Sequence, residues 1–460
     1  MVHRILIAII RTIANTFFRR IDIVGIENVP SEGPLMFAGN HPNALMDGFL
    51  LNATCERWPL HFMASDKLWK YKLLGKLLDA SGAVPVARRD DYAGEVDNSK
   101  AFERLYEVLE GGDCMGIFPE GISHVESQLT QLKTGAARIA LAVTARGKAT
   151  VKIIPCGLNY IHRHRFRSQV LIEFGTPISI NEKWVKDFQR DEQRAVRELT
   201  TVLSESLANV TLNAPDWRTL RFIQAARRLY KPAKAELTPG QYVDLSRKFV
   251  DGYLLAESDP ELKKFRDDVE DYQSRLDLLG LKDYQLRKKV NTRRALRKLL
   301  LRSLRALLLL PLAIPGAVLH LPVGWIAATV GEHFSYEQDD IATLKVFATI
   351  SLLPILYLLT ATLIGMSLGV WWALAAILVL PLSFFFSVRI IEAEVGLFVS
   401  LLSLLRLKRL GNEVDALRDI RNDLVRKIRM MVDHRSDPDL PRHFGEKDFD
   451  QATIEKASDY

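Results

Sequence analysis

Two apolar runs, Val346–Met366 and Gly369–Val388, are separated only by Ser367 and Leu368, and neither contains a charged residue. Each is about twenty residues long, enough helix to cross the hydrocarbon core of a bilayer. With no water to bond, backbone amides there must pair within the segment, so both runs are constrained to be helices joined by a tight turn. A third apolar stretch, Ala306–Val330, contains Pro311, Pro315 and Pro322. Prolines interrupt helical hydrogen bonding, which predicts a segment that dips into the membrane and returns. Nine Lys and Arg and no acid occupy Arg287–Arg305, and Arg389, Arg406, Lys408 and Arg409 follow the last run. Basic flanks stay cytoplasmic. The expectation is therefore an integral membrane protein that crosses twice, with the acidic connection Glu332, Glu337, Asp339 and Asp340 on the cytoplasmic side.

The remaining sequence divides around this membrane region, 306–388. Residues 1–20 are apolar but punctuated by Arg4, Arg11, Arg19 and Arg20. Arg11 interrupts the apolar centre that a secretory signal needs, so an amphipathic helix in the membrane interface, basic residues toward headgroups, is expected. From Ile21 to about Pro177 strand-like and helix-like pieces alternate. Ile21–Val24, Leu35–Ala38, His61–Ala64, Ala83–Ala87, Met115–Phe118, Val151–Pro155 and Val170–Phe174 read as strands. Helical runs lie near Leu45–Cys55, Trp69–Ala80, Lys100–Leu109 and Lys133–Ala145. That alternation predicts an α/β domain with a mostly parallel sheet over 21–212, closed by helix after Asn181. Residues 213–305 read as a charged helical region ending in the basic arm, and 389–460 as a cytosolic amphipathic helix, Glu413–Val432, with a loose polar tail.

The formal charge of +7 suits an anionic partner. Beside apolar spans the basic arm reads as a lipid-bilayer flank, not a nucleic-acid arm. Cys55, Cys114 and Cys156 form no C-x-x-C pair, so no metal site or disulfide framework is expected, and no cofactor motif is present.

Chemistry concentrates in four motifs. Asn40-His41-Pro42-Asn43-Ala44-Leu45-Met46-Asp47 places a histidine after a strand and an aspartate just inside the next helix. A carboxylate on one imidazole nitrogen fixes the tautomer and steadies the charge of a general base; a helix cap made from the same residues is the alternative. Pro42 disfavours helix at His41 and suits a first helical position itself. Gly82-Ala83-Val84-Pro85-Val86-Ala87-Arg88-Arg89 ends a strand in two guanidiniums, groups that bind a phosphate monoester through two bonds. Phe118-Pro119-Glu120-Gly121 is a tight turn, followed by Lys133, Thr134, Gly135 and Arg138 at a helix start, where amides and cations favour anions. Ile153-Ile154-Pro155-Cys156-Gly157 is a buried strand pattern ending in a proline.

In this order the four motifs resemble the glycerolipid acyltransferases, which acylate glycerol-3-phosphate, 1-acylglycerol-3-phosphate and related lysophospholipids. The resemblance covers about Asn40 to Tyr160. Within the family the Asn-His-Pro-Asn opening and the Phe-Pro-Glu-Gly…Ser-His…Leu-Lys-Thr-Gly-Ala stretch look most like the fungal-type glycerol-3-phosphate/dihydroxyacetone-phosphate acyltransferases and their bacterial relatives. By resemblance, His41 is the general base and Asp47 its catalytic partner. Arg88 anchors the acceptor phosphate, Glu120 and Gly121 form the acceptor-site turn, and Lys133 and Pro155 line the substrate site. The donor implied is acyl-CoA or acyl carrier protein, the acceptor a glycerol phosphate or a lysophospholipid. A non-catalytic lipid-binding protein is the competing class. One departure stands out: five residues, not the family's four, separate His41 from Asp47. On a continuous helix the extra residue would rotate the aspartate by about 100°. A different turn before the helix would absorb it, and Asn40 or Asn43 are alternative partners for the imidazole.

Overall fold

The computed structural model describes residues 2–70, 72–87, 97–232, 235, 237–287 and 292–435. Arg88 and Arg89 lie outside the described residues, as does the expected loose tail beyond residue 435. The chain divides into two compact units. The first comprises residues 1–217, 237–247 and 335–343, and the second 218–236, 248–334 and 344–460.

The first unit is built on strands β1 (Phe18–Val24), β2 (Leu35–Gly39), β3 (Leu60–Ser65), β4 (Val84–Val86), β5 (Cys114–Ile117), β6 (Lys152–Tyr160), β7 (Ser168–Phe174) and β8 (Ile178–Ser179). Their order is β1-β7-β6-β2-β5-β3-β4, with β8 beside β6. Only β6–β7 and β6–β8 are antiparallel, so the expected mostly parallel sheet is what forms. Helices α1 (Val2–Phe17), α2 (Leu45–Thr54), α3 (Lys72–Ser81), α4 (Ser99–Glu110), α5 (Gly135–Ala145), α6 (Glu182–Arg190) and α7 (Glu192–Val210) complete it. All five residues of β2 are buried, as a central parallel strand covered on both faces must be. Met36 and Ala38 pack with Leu105 of α4, Ile139 of α5 and Leu199 of α7. Phe37, pointing the other way, meets the Phe174 ring edge-on.

Two expectations change here. The helix at 1–20 ends at Phe17, and Arg19 and Arg20 lie in the edge strand β1, which starts at Phe18. Its Ile7, Ile10, Ala14 and Phe17 are buried within the unit, where α1 packs on α2. Arg11 donates to Ala53 O at 3.1 Å and stacks 4.4 Å above the Trp58 ring. Arg11 is therefore held by the domain; Ile5 and Ile9 remain exposed. The second change is in β6, which runs through Pro155 to Tyr160 instead of stopping at the proline. Pro155 O accepts from Gly175 N at 2.8 Å. The missing N–H on that same edge falls between the β8 pairing, which ends at Ile153, and the β7 pairing, which begins at Cys156. No ladder bond is lost there, so the strand tolerates proline.

The second unit is helical. It takes most of α8 (Trp217–Tyr230), the end of α9 (Pro239–Leu255), α10 (Pro260–Leu278) and α11 (Asp283–Leu286). With them are α12 (Thr292–His333), α13 (Ile341–Leu368) and α14 (Val370–Arg435), the last broken at Gly411. The predicted turn back within Ala306–Val330 does not occur: α12 is one helix through all three prolines. Tight packing supports it. A Cβ on Gly316 would lie 2.2 Å from Ser387 Oγ, and His320 Nε2 bonds Tyr357 OH at 2.9 Å. The expected hairpin does form, turning at Gly369 (φ +99°), with Ala361, Ala376 and Leu380 packed together. Of the described helices, α13 is the one long and apolar enough to cross a membrane. Leu359, Leu363, Trp371 and Leu378 on the hairpin are exposed. The amphipathic helix beyond Gly411 buries Val414, Leu417, Leu424 and Ile428. It is tied to α10 and α11 by Arg421–Asp283 (2.9 Å) and Lys427–Asp268 (2.9 Å).

Candidate active site

β2 delivers Asn40 and His41 to the carboxyl edge of the sheet, where sites in parallel sheets lie. Asn40 clasps the neighbouring strand, accepting from Leu158 N at 2.7 Å and donating to Leu158 O at 3.2 Å. Asn40 thus fixes where the chain leaves the sheet and does not partner the imidazole.

His41 Nδ1 lies 2.9 Å from Asp47 Oδ2, so the dyad forms despite the extra residue. The residue is absorbed before the helix. Ala44 has φ 45° and ψ −129°, and Met46 N donates to Asn43 O at 3.0 Å. Those angles describe the first central position of a type II′ turn, which usually requires glycine. α2 accordingly starts at Leu45, not at Pro42. The turn also aims Asn43 N at Asp47 Oδ2 (2.8 Å), so Asn43 serves the carboxylate through its backbone. Tyr160 OH donates to the other oxygen, Oδ1, at 2.5 Å. Asp47 is wholly buried. Burial pushes its carboxyl up, against the His41, Tyr160 and Asn43 hydrogen bonds that favour the charge.

The imidazole stacks on Phe118, centroids 4.1 Å apart and planes 6° from parallel. Phe118 stacks in turn on Phe62, whose ring occupies the space a side chain at Gly116 would need. With Nδ1 committed to Asp47, Nε2 is the nitrogen left to take a proton; among the described residues no protein group bonds it.

Glu120 is 2% exposed and its acceptor positions are filled by the protein. Oε1 accepts from His41 N at 2.9 Å, and Oε2 from Thr130 N (2.8 Å), Thr130 Oγ1 (2.9 Å) and the His124 ring. His124 N also donates to His41 O at 3.1 Å. Burial raises the Glu120 carboxyl, and these donors more than reverse it, leaving it below the ordinary range. The same contact holds the His124 imidazole above its ordinary value. The Phe-Pro-Glu-Gly turn is thereby strapped to the base. Gly121 has φ +82°, and Lys133 crosses it: a Cβ there would lie 3.2 Å from Lys133 Cγ. Lys133 N anchors to Pro119 O at 2.6 Å, and its side chain is exposed. Pro155 pairs with Ala38 in the sheet interior, three residues before His41. The amides of His41, Asn43, Gly121 and His124 all have protein acceptors.

Several residues at the site carried no signal strong enough to be singled out from sequence. Tyr160 and Thr130 are two. Arg163 is a third; it donates to Pro42 O at 3.3 Å and His124 O at 3.4 Å. The acidic segment 335–343, expected from sequence only as a connection between membrane segments, also belongs to this unit. Its buried Asp339 interacts electrostatically with Arg163, and Asp340 with His41. Burial first, then Asp339 and Glu337, push the Asp340 carboxyl up.

Residues 20–159 match a family model described as acyltransferase, and residues 222–440 one described as glycerol-3-phosphate acyltransferase 2 C-terminal domain. Glycerol-3-phosphate O-acyltransferase 2 of Saccharomyces cerevisiae is 36% identical over 58% of this chain, and O-acyltransferase 1 of the same yeast 34% identical over 59%. An uncharacterised acyltransferase of Schizosaccharomyces pombe is 31% identical over 79%. The matched regions span 38% of the length of each Saccharomyces protein and 58% of the Schizosaccharomyces one. A crystal structure of a 1-acyl-sn-glycerophosphate acyltransferase from Thermotoga maritima covers 42% of this chain and 79% of its own, with 20% identity and a TM-score of 0.30, too distant to bear on function. The histidine–aspartate dyad at the edge of a mostly parallel sheet thus lies in a region similar to acyltransferases, and the residues that follow it in sequence are similar to the C-terminal domain of glycerol-3-phosphate acyltransferase 2.

Proposed function

We propose that the chain transfers an acyl group from a thioester, acyl-CoA or acyl carrier protein, to a hydroxyl of glycerol-3-phosphate. The His41–Asp47 pair carries the reading, with one nitrogen held by a buried carboxylate and the other open to a proton. The two Saccharomyces relatives, named as glycerol-3-phosphate O-acyltransferases, support the acceptor. In the proposed step His41 Nε2 takes the hydroxyl proton as the oxygen attacks the thioester carbonyl. The carbon–sulfur bond breaks, and the proton passes from the imidazolium to the leaving thiolate. No acyl-enzyme is needed, because the thioester is already activated. Arg88 is proposed to hold the acceptor phosphate and so position the hydroxyl, a large source of rate in such a reaction. Lys133, exposed over Gly121, is available to the same anion. Glu120 supports the site by bracing the turn to His41.

A second acceptor, 1-acylglycerol-3-phosphate, is favoured by a chloroplast relative of Arabidopsis thaliana bearing that name, 28% identical over 32% of this chain. Dihydroxyacetone phosphate offers the same phosphate and hydroxyl. The α13–α14 hairpin is proposed to embed in the bilayer, with the dyad on the cytoplasmic face and the exposed Ile5 and Ile9 of α1 resting in the interface. Purified full-length protein given labelled acyl-CoA and each acceptor separately tests the reading. Transfer to glycerol-3-phosphate at the highest kcat/KM is expected. Preference for the lysophospholipid would select the second acceptor, and no transfer to any of the three would leave a lipid-binding protein.

A further inference from the structure

The proposed base is steadied by Asp47, but a buried carboxylate beside one histidine has no reason to stay charged or still. It has lost water on every side, which favours the protonated form and leaves unfilled acceptor sites. The structure supplies the missing donors from two places. Asn43 N occupies Oδ2 beside His41 Nδ1, and Tyr160 OH occupies Oδ1 at 2.5 Å. Tyr160 comes from a different strand, 113 residues away in sequence. It reaches Asp47 because β6 runs parallel to β2 and four residues past the Gly39–Cys156 pair, carrying its last side chain beyond the end of β2. Its ring leans on Phe18, centroids 5.7 Å apart, and Phe18 is buried.

We propose that Tyr160 is a positioning residue for acyl transfer: its hydroxyl keeps Asp47 ionised and fixes the carboxylate plane that orients His41. The inference rests on the acyltransferase reading above. The hydroxyl is itself held protonated, since burial and the neighbouring carboxylate both push its ionisation well above the ordinary value. It therefore stays a donor throughout the working pH range. The charged and titratable groups facing this cluster are His41 and Tyr160, Arg163 of the loop following β6, and Asp340 of the acidic segment across from His41.

Removing the hydroxyl takes away one of three donors that favour the charged carboxylate. Asp47 then protonates at higher pH, and a protonated Asp47 no longer fixes the useful tautomer. Tyr160→Phe keeps the ring and its packing on Phe18. The expected result is a kcat lowered about 10- to 100-fold, the loss of one hydrogen bond to a charged group, with the KM for glycerol-3-phosphate changed less than about threefold. The acid limb of the kcat–pH profile should move to higher pH by about a unit. In an Asp47→Asn background the same change should cost less than about threefold, because the carboxylate it serves is gone. A purely structural tyrosine would cost the same in both backgrounds and leave the pH profile in place. Those outcomes, or a Tyr160→Phe enzyme with wild-type kcat, overturn the inference. If wild-type protein transfers no acyl group, it is the acyltransferase reading that fails instead; if His41→Ala matches an active wild type, it is His41 as the base that fails.

Discussion

Glu120→Gln changes one carboxylate oxygen into an amide nitrogen, and every neighbour of that carboxylate is a donor. If the amide oxygen takes the position that accepts from Thr130 and His124, the new NH2 faces His41 N, now 2.9 Å from Oε1. One charge-assisted bond is lost and two N–H groups oppose each other in a site 2% exposed. The reverse orientation sets the NH2 against Thr130 N and gives up the charge-assisted bond from the His124 ring, and gains nothing in exchange. Losing a bond to a charged group costs roughly 1.5–3 kcal/mol, and a buried unpaired donor adds to that, so about 3 kcal/mol is expected. For a domain of this size that lowers the melting temperature by about 6–12 °C. Thermal unfolding of full-length protein in detergent, beside acyl-transfer kinetics at a temperature where the variant is folded, tests it. The strut role predicts a lower melting temperature and reduced kcat. A melting temperature within about 2 °C of wild type, with a raised acceptor KM, would show that Glu120 touches the acceptor and does not brace the turn.

Arg88→Ala should raise the acceptor KM far more than that of the donor, and Arg88→Lys should rescue only partly, since an ammonium cannot make the two-bond contact; a change confined to the donor KM would move Arg88 to the thioester side. His124 gains its partner on folding and its pKa is raised from 6.5. The stability it contributes is therefore complete below that value and is lost as pH rises through the raised one. Wild type should exceed His124→Gln in melting temperature more at about pH 6 than at about pH 9, and an unchanging gap would exclude this titration. Single cysteines replacing Glu337, Ser367 and Asp433 report topology: an impermeant reagent outside sealed cells should label only Ser367→Cys, and labelling of Glu337→Cys would place the acidic segment on the wrong side of the membrane.

The sheet was readable because a parallel strand buried on both faces leaves short apolar runs between helical ones, as Leu35–Ala38 and Met115–Phe118 do. Where reading stopped at Pro155, the reason is positional. Whether a proline breaks a strand depends on which edge its missing N–H faces, and that follows from β7 and β8, not from local sequence. The His41–Asp47 pairing was legible as a motif, while its extra residue was resolved only by the backbone of Ala44. Tyr160 was invisible because its relevance depends on register: once Gly39 is set opposite Cys156, a residue four further along passes the end of β2. The prolines of Ala306–Val330 predicted a turn that close packing at Gly316 and His320 makes unnecessary. The acidic segment 335–343 read as a connection between helices, and nothing in its composition signals that Asp340 comes near His41.

The account depends most on His41 acting as the base. Full-length wild type, His41→Ala and Asp47→Asn, each shown to be folded by circular dichroism, should be compared in one assay with glycerol-3-phosphate and labelled acyl-CoA. His41→Ala is expected to retain its fold and to lose about 10²–10⁴-fold in kcat, with Asp47→Asn also strongly impaired. A folded His41→Ala protein that turns over at the wild-type rate would contradict the account.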